Sequence, residues 1–276
     1  MAFEKIPLWT TPADNTVVWR YMSHDKFSKL LSSNSLFFYE VLKYRQTKNG
    51  DKFEGAIPAY NASHLGPGYF MIDGKQISNP YQKNRSINFL GHLIAINCWG
   101  MDKREVPRKW NEYARGERSV VIKSKILNIK KALKEAPEKI FIGKINYINY
   151  DSYVYNNQDP VGYFMLKNAI NYEWEHEVRL FTIATNGDRR TMKTMDLSTV
   201  DKFKKADIEH MQGIDHMLIH CDLNMLIDEV VVSPWSEAGY VDEIKDLLNK
   251  YQLHKEVKKS YYHGNISNAG VILDIK

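Results

Sequence analysis

The stretch YEWEHEVRL, residues 172 to 180, sets two glutamates and an arginine at alternate positions of a β-like run. Side chains of a strand alternate faces, so as a strand Glu175, Glu177 and Arg179 share one side while His176, Val178 and Leu180 share the other. The second side is apolar enough for a core. The first brings like charges within about 6 to 7 Å of each other, with Arg179 at similar spacing to offset the repulsion. The solvated face of an antiparallel sheet carries such alternation at little cost. A ligand-facing catalytic strand is the sharper reading, since positioned carboxylates can move protons.

Elements elsewhere must hold this strand. Val17 to Met22 reads as a first strand, and Ser23 caps a helix whose Phe27, Leu30 and Leu31 form one apolar face ending at Ser32 to Asn34. Ser35 to Glu40 is a second strand. Residues 43 to 86 are loop-rich and suit an insertion or lid. The apolar run Ile87 to Trp99 ends as a central strand at Cys98 and Trp99. After Pro107 a helix places Trp110, Tyr113 and Ala114 inward and stops at Gly116, before a strand from Arg118 to Lys123. A further strand spans Ile140 to Tyr150. Asp159 and Pro160 start a helix reaching about Asn168, with Lys167 at its solvated end. Strands at Met217 to Cys221, Glu229 to Ser233 and Val257 to Tyr261, and a helix from Tyr240 to Tyr251 with Ile244, Leu247 and Leu248 on one face, complete the pattern. Helices and strands intersperse without regular alternation, which predicts an α+β fold: a central mixed or antiparallel sheet flanked by helices.

The chain has 276 residues, 43% hydrophobic, and no Gly/Ser-rich or Pro-rich linker divides it, so a single domain over residues 1–276 is expected. A net charge of +5 permits a nucleic-acid partner without the dense basic stripe that would announce one. The basic run Lys123 to Lys134 reads as an amphipathic helix with Ile126, Ile129 and Leu133 inward, and Asp188 to Lys193 as a hairpin turn begun by Asn186 and Gly187. The two cysteines, Cys98 and Cys221, sit in apolar runs as reduced thiols do, and no membrane span or signal peptide is evident, so a soluble cytoplasmic protein is expected.

Ordered pieces of the chain resemble the bacterial family called domain of unknown function 2971: WRYM from Trp19, LFFYE, FEG at Phe53, CWG at Cys98, WNEYARG, Lys167 ahead of YEWEHEVRL, VVVSP and KKSYY. Asp51 and Lys52 stand where that family usually shows Asp-Pro, and Gly100 where a Ser often follows the Cys-aromatic pair. The resemblance implies a phage-defence, abortive-infection or toxin-type setting. The order of parts also looks like an ADP-ribosyltransferase, which implies NAD or a related nucleotide as substrate, with a protein or nucleic-acid acceptor left open. On that analogy Arg20 matches the early basic residue, Cys98 to Gly100 the middle strand end and Glu177 the late glutamate, with Glu175 beside it.

The chemistry fits these residue types. Breaking the nicotinamide–ribose bond builds an oxocarbenium-like cation, which Glu177 would stabilise while Glu175 orients or deprotonates the acceptor. Arg20 would grip the diphosphate or ribose, and Tyr21, Trp99, Trp110 or Tyr113 would stack on the nicotinamide. Cys98 would line the pocket, and Arg179 would contact the cofactor or simply pair with a glutamate. Each has a plainer reading, the aromatics as core and Arg20 as surface, while Glu54 in the loop would either reach the site or cap a turn. A metal-dependent nuclease and a non-enzymatic binding or sensor module are the alternatives. No metal site is expected, because a strand places His216 and His220 about 13 Å apart, with Cys221 and His210 unable to complete a set.

Overall fold

The computed structural model describes residues 3–4, 9–46, 50–63, 69–72, 75–78, 90–156, 160–183 and 215–262. The hairpin turn expected at Asn186 and Gly187 lies outside them. Strands run along the chain as β1 (Phe3–Glu4), β2 (Val17–Ser23), β3 (Ser35–Glu40), β4 (Tyr69–Ile72), β5 (Lys75–Ser78), β6 (Ile94–Gly100) and β7 (Ser119–Lys125). They continue as β8 (Ile140–Lys144), β9 (Asn146–Ile148), β10 (Leu166–Asn168), β11 (Glu177–Ile183), β12 (His216–His220), β13 (Glu229–Val232) and β14 (Glu256–Lys259). Pairing is mostly antiparallel and helices are interspersed, which is the α+β class the sequence pattern implies.

Contacts divide the chain into two compact units. The first comprises Met1–Ala13, Ser35–Gly100 and Leu133–Cys221. In it β11 is antiparallel to both β6 and β8, so every one of its seven residues is buried. β1 extends this set beside β8, β3 joins β6 at Tyr39 and Glu40, and β12 pairs with β3. Alternation on β11 sends Phe181 into a core with Ile94, Ile96, Phe141 and Phe164, and Ile183 on the same face is buried too. Phe181 stacks on Phe141 at 4.8 Å and meets Trp9 at 4.5 Å. Glu177 and Arg179 are the next residues of that same face, so the fold carries their charges into the interior.

The second unit comprises Asp14–Asn34, Met101–Ala132 and Asp222–Lys276. β7 is antiparallel to β2 and β13, and β13 is parallel to β14. The helix His24–Ser33 starts where Ser23 accepts the Lys26 N–H, buries Phe27, Leu30 and Leu31, and ends at Asn34 in the left-handed region. The helix Tyr240–Lys250 buries Tyr240, Ile244 and Leu248, and Ile126–Ala132 buries Ile126 and Ile129. The turn after Pro107 differs from expectation. Trp110–Ala114 is a π-helix closed by Arg115 N–H donating to the Trp110 carbonyl, and its wider turn buries Trp110 and Ala114 but leaves Tyr113 exposed.

Two further expectations are corrected near the charged strand. The helix expected from Asp159 to Asn168 is a 3-10 turn over Pro160–Met165 followed by β10, which pairs in parallel with β9. The strand expected to carry Glu175 begins only at Glu177. Glu173–Glu175 is a 3-10 turn, and His176 adopts the left-handed conformation at φ 41° that reverses the chain into β11. A short helix, Ala169–Tyr172, fills the interval.

Candidate functional site

Arg179 lies at the centre of a buried ionic cluster in the first unit, 1% exposed. Its Nη1 and Nη2 donate to the two oxygens of Glu54 at 2.7 and 3.2 Å, a forked pair, and Nη1 also reaches the Phe164 carbonyl at 2.5 Å. Nε donates to Glu177 Oε1 at 2.9 Å. Lys167 Nζ, arriving from β10, sits 2.5 Å from Glu177 Oε2 and 2.6 Å from Glu175 Oε2. Glu175 and Glu177 therefore converge on one ammonium, although they do not share a strand face. The solvated position expected for Lys167 is corrected accordingly: the strand that replaces the helix points its side chain inward.

Several backbone features hold this arrangement. The Glu177 N–H donates to the Tyr147 hydroxyl at 2.7 Å, fixing the start of β11. Glu54 belongs to the turn 51–55, where Phe53 N–H donates to Asp51 Oδ1 at 2.8 Å and Arg45 Nε donates to the Glu54 carbonyl at 2.5 Å. Gly55 closes that turn at φ +68°, with Phe164 so near that an added Cβ would lie 2.3 Å from its ring. Gly55→Ala is therefore expected to cost about 2 to 4 kcal/mol, from the strained φ and the overpacked ring together, read as a lower urea midpoint with an unchanged slope.

The electrostatics follow from burial and pairing. Burial alone would push the Glu177 carboxyl up, but Arg179 and then Lys167 overcome it and hold the group well below the usual carboxylate range. For Lys167 burial opposes the charge while Glu177 and Glu175 hold it firmly protonated. Glu54 is different: burial dominates and raises its carboxyl despite Arg179. Burial and the nearby Glu177 push up the thiol of Cys98, cross-strand from Arg179, which disfavours its thiolate form. Tyr147 and Tyr150 are likewise raised, first by burial and then by nearby carboxylates.

The remaining sequence candidates divide between the units. Trp99 lies on β6 in the first unit, 2% exposed, with its Nε1 donating to Asn97 Oδ1 at 2.7 Å. Register and alternation put it on the face opposite Cys98. Arg20, Tyr21, Trp110 and Tyr113 belong to the second unit. Arg20 is partly exposed on β2, opposite Ile122 of β7. Tyr21 meets Trp110 edge-to-face at 5.1 Å, accepts the Val106 N–H at 2.8 Å, and both rings are buried. Trp110 Nε1 donates to Glu105 Oε2 at 3.1 Å.

Among the described residues no group of three His, Cys, Asp or Glu side chains converges as a metal site. Where a cation would sit among Glu54, Glu175 and Glu177, Lys167 Nζ and the Arg179 guanidinium already stand. His216 and His220 share the exposed face of β12. No described helix is long and apolar enough to cross a membrane.

No family model matches the chain and no curated protein does. Solved structures of Thermus sp. 2.9 DarT resemble it loosely. The complex with carba-NAD+ is 10% identical, with 90% of this chain and 96% of that chain covered and a TM-score of 0.34. The complex with NAD+ is 13% identical, covering 91% and 98%, at 0.35. The complex with ADP-ribosylated ssDNA is 10% identical, covering 92% and 98%, at 0.35. Superpositions this loose match no side chain of one protein to a side chain of the other.

Proposed function

We propose that the chain is an ADP-ribosyltransferase-like enzyme that cleaves the nicotinamide–ribose bond of NAD, acting in the cytoplasm as a phage-defence or toxin-type effector. The observation that carries this assignment is the ionised Glu177, held by Arg179 and Lys167 at the start of a rigid central strand. A carboxylate so held keeps its negative charge at neutral pH and meets a developing sugar cation without reorganising. Each carboxylate oxygen accepts more than one hydrogen bond, so Arg179 and Lys167 leave Glu177 capacity for a ribose hydroxyl. Glu175, on the same ammonium, would orient or deprotonate the acceptor. First-unit residues alone support this assignment.

Incubation with NAD, with and without cell extract, is expected to release nicotinamide. Glu177→Gln is expected to cut that release by about 10²- to 10³-fold, with the circular dichroism spectrum kept. One feature favours a second reading, a binding or sensor module: both Glu177 oxygens have cationic partners and the residue is 4% exposed. Nicotinamide release absent in every condition would overturn the NAD reading and favour the binding module.

A further inference from the structure

The turn that delivers Glu54 holds a carboxylate the scheme above does not use. Asp51 is 5% exposed, and its Oδ1 is engaged by the Phe53 N–H, yet its buried Oδ2 has no hydrogen-bond partner among the described residues. Buried acceptors are nearly always paired, so an orphan beside an ionic cluster marks a position where a donor is to be received.

Its surroundings indicate what kind of donor. Lys167, Arg179 and Glu177 all act electrostatically on the Asp51 carboxyl, and Asp51 in turn acts on Tyr172. Among the buried charges Asp51, Glu54, Glu175 and Glu177 outnumber Lys167 and Arg179, while Arg45 and Lys52 at the turn, neither of them buried, are engaged by the Glu54 and Arg45 carbonyls, so inside the cluster a cationic group is favoured over an anionic one. Phe53 extends from the same turn, 47% exposed and stacked on Tyr150 at 5.5 Å and 29°. Tyr172, partly exposed, lies over Lys167 Nζ at 5.2 Å. The group that suits an orphan carboxylate oxygen beside an exposed aromatic face is planar, cationic and bears N–H donors.

We propose that the Asp51 turn is the subsite for the nicotinamide end of NAD, with Oδ2 accepting a carboxamide N–H and the Phe53 ring lying against the pyridinium. This rests on the NAD reading above. Oδ2 is shielded in the free protein, so binding displaces a neighbour, and Phe53, exposed, and Tyr172, partly exposed, are the candidates. Burial raises the Asp51 carboxyl against the Phe53 N–H and Lys167, and a cationic ligand would draw it back toward the ionised form.

The test is calorimetric titration of the full chain with a non-cleavable NAD analogue and with ADP-ribose, which lacks the nicotinamide. Asp51→Ser keeps an acceptor for the Phe53 N–H and removes Oδ2. It is expected to weaken the analogue by about tenfold or more while ADP-ribose stays within about twofold. Equal weakening of both ligands means that Asp51 only shapes the turn, and no weakening means that Oδ2 receives nothing; either overturns the proposal while leaving the NAD reading intact. Wild-type protein that binds neither ligand ends both. Asp51→Asn, which preserves shape, decides the matter on the same criterion if thermal melting shows the serine variant unfolded.

Discussion

Arg179→Met is expected to cost about 3 to 5 kcal/mol of folding stability, a large share of the roughly 5 to 15 kcal/mol that holds a typical domain. Methionine fills much of the arginine stem's volume, so the loss is electrostatic. Glu54 and Glu177 would be left buried without the guanidinium that forks onto one and bonds the other, and the Phe164 carbonyl would lose its donor. Urea unfolding at neutral pH measures it. Adding Glu54→Gln should recover part of the loss, because the double variant no longer strands the Glu54 charge, and the resulting cycle gives the coupling energy of the forked pair. A loss under about 1 kcal/mol would mean that water reaches the cluster and screens it as at a surface.

Much of this architecture was legible in the sequence, because burial periodicity is local. The strand at Val17, the capped helix after Ser23, the strand from Ser35 and the helix from Tyr240 all follow from alternation, caps and one-sided apolar faces. Around the charged segment the pattern misleads. YEWEHEVRL alternates as a strand throughout, but His176 turns in the left-handed region, so Glu175 reaches the lysine from a turn. No local rule separates a strand from a 3-10 turn of three residues. Lys167 and Glu54 stand in short stretches that the sequence alone singles out, but their convergence on Glu177 and Arg179 is a long-range fact: Glu54 and Arg179 are 125 residues apart. The one available signal was stoichiometric. Glutamates and an arginine on a central strand flanked on both edges need buried counter-charges, and a lysine-led motif and a Phe-Glu-Gly turn were there to supply them.

Lys167→Met should produce a loss of similar size, about 3 to 5 kcal/mol at neutral pH, and a pH dependence opposite in sign to the contribution that Glu177 makes in the wild type. In the wild type the Glu177 carboxyl is depressed by Arg179 and Lys167. Its contribution is present above the unfolded glutamate value of about 4.3 and is lost as pH falls through the depressed folded value. Without the ammonium, Glu175 and Glu177 face each other with one cation fewer, and at least one carboxyl in the folded protein rises above its unfolded value. A raised acid destabilises the folded state while ionised, and that penalty is relieved as pH falls through the raised value. Wild-type and variant stabilities should therefore converge from pH 7 toward the acid range, with most of the gap closing above the point where the wild type itself begins to fail. Lys167 also lowers the carboxyls of Glu54 and Asp51, which burial raises, so its loss raises both further and adds to the same convergence. Parallel curves, with the gap unchanged as the solution is acidified, would show that Lys167 acts through packing of its stem and not through the charge it places between the two glutamates.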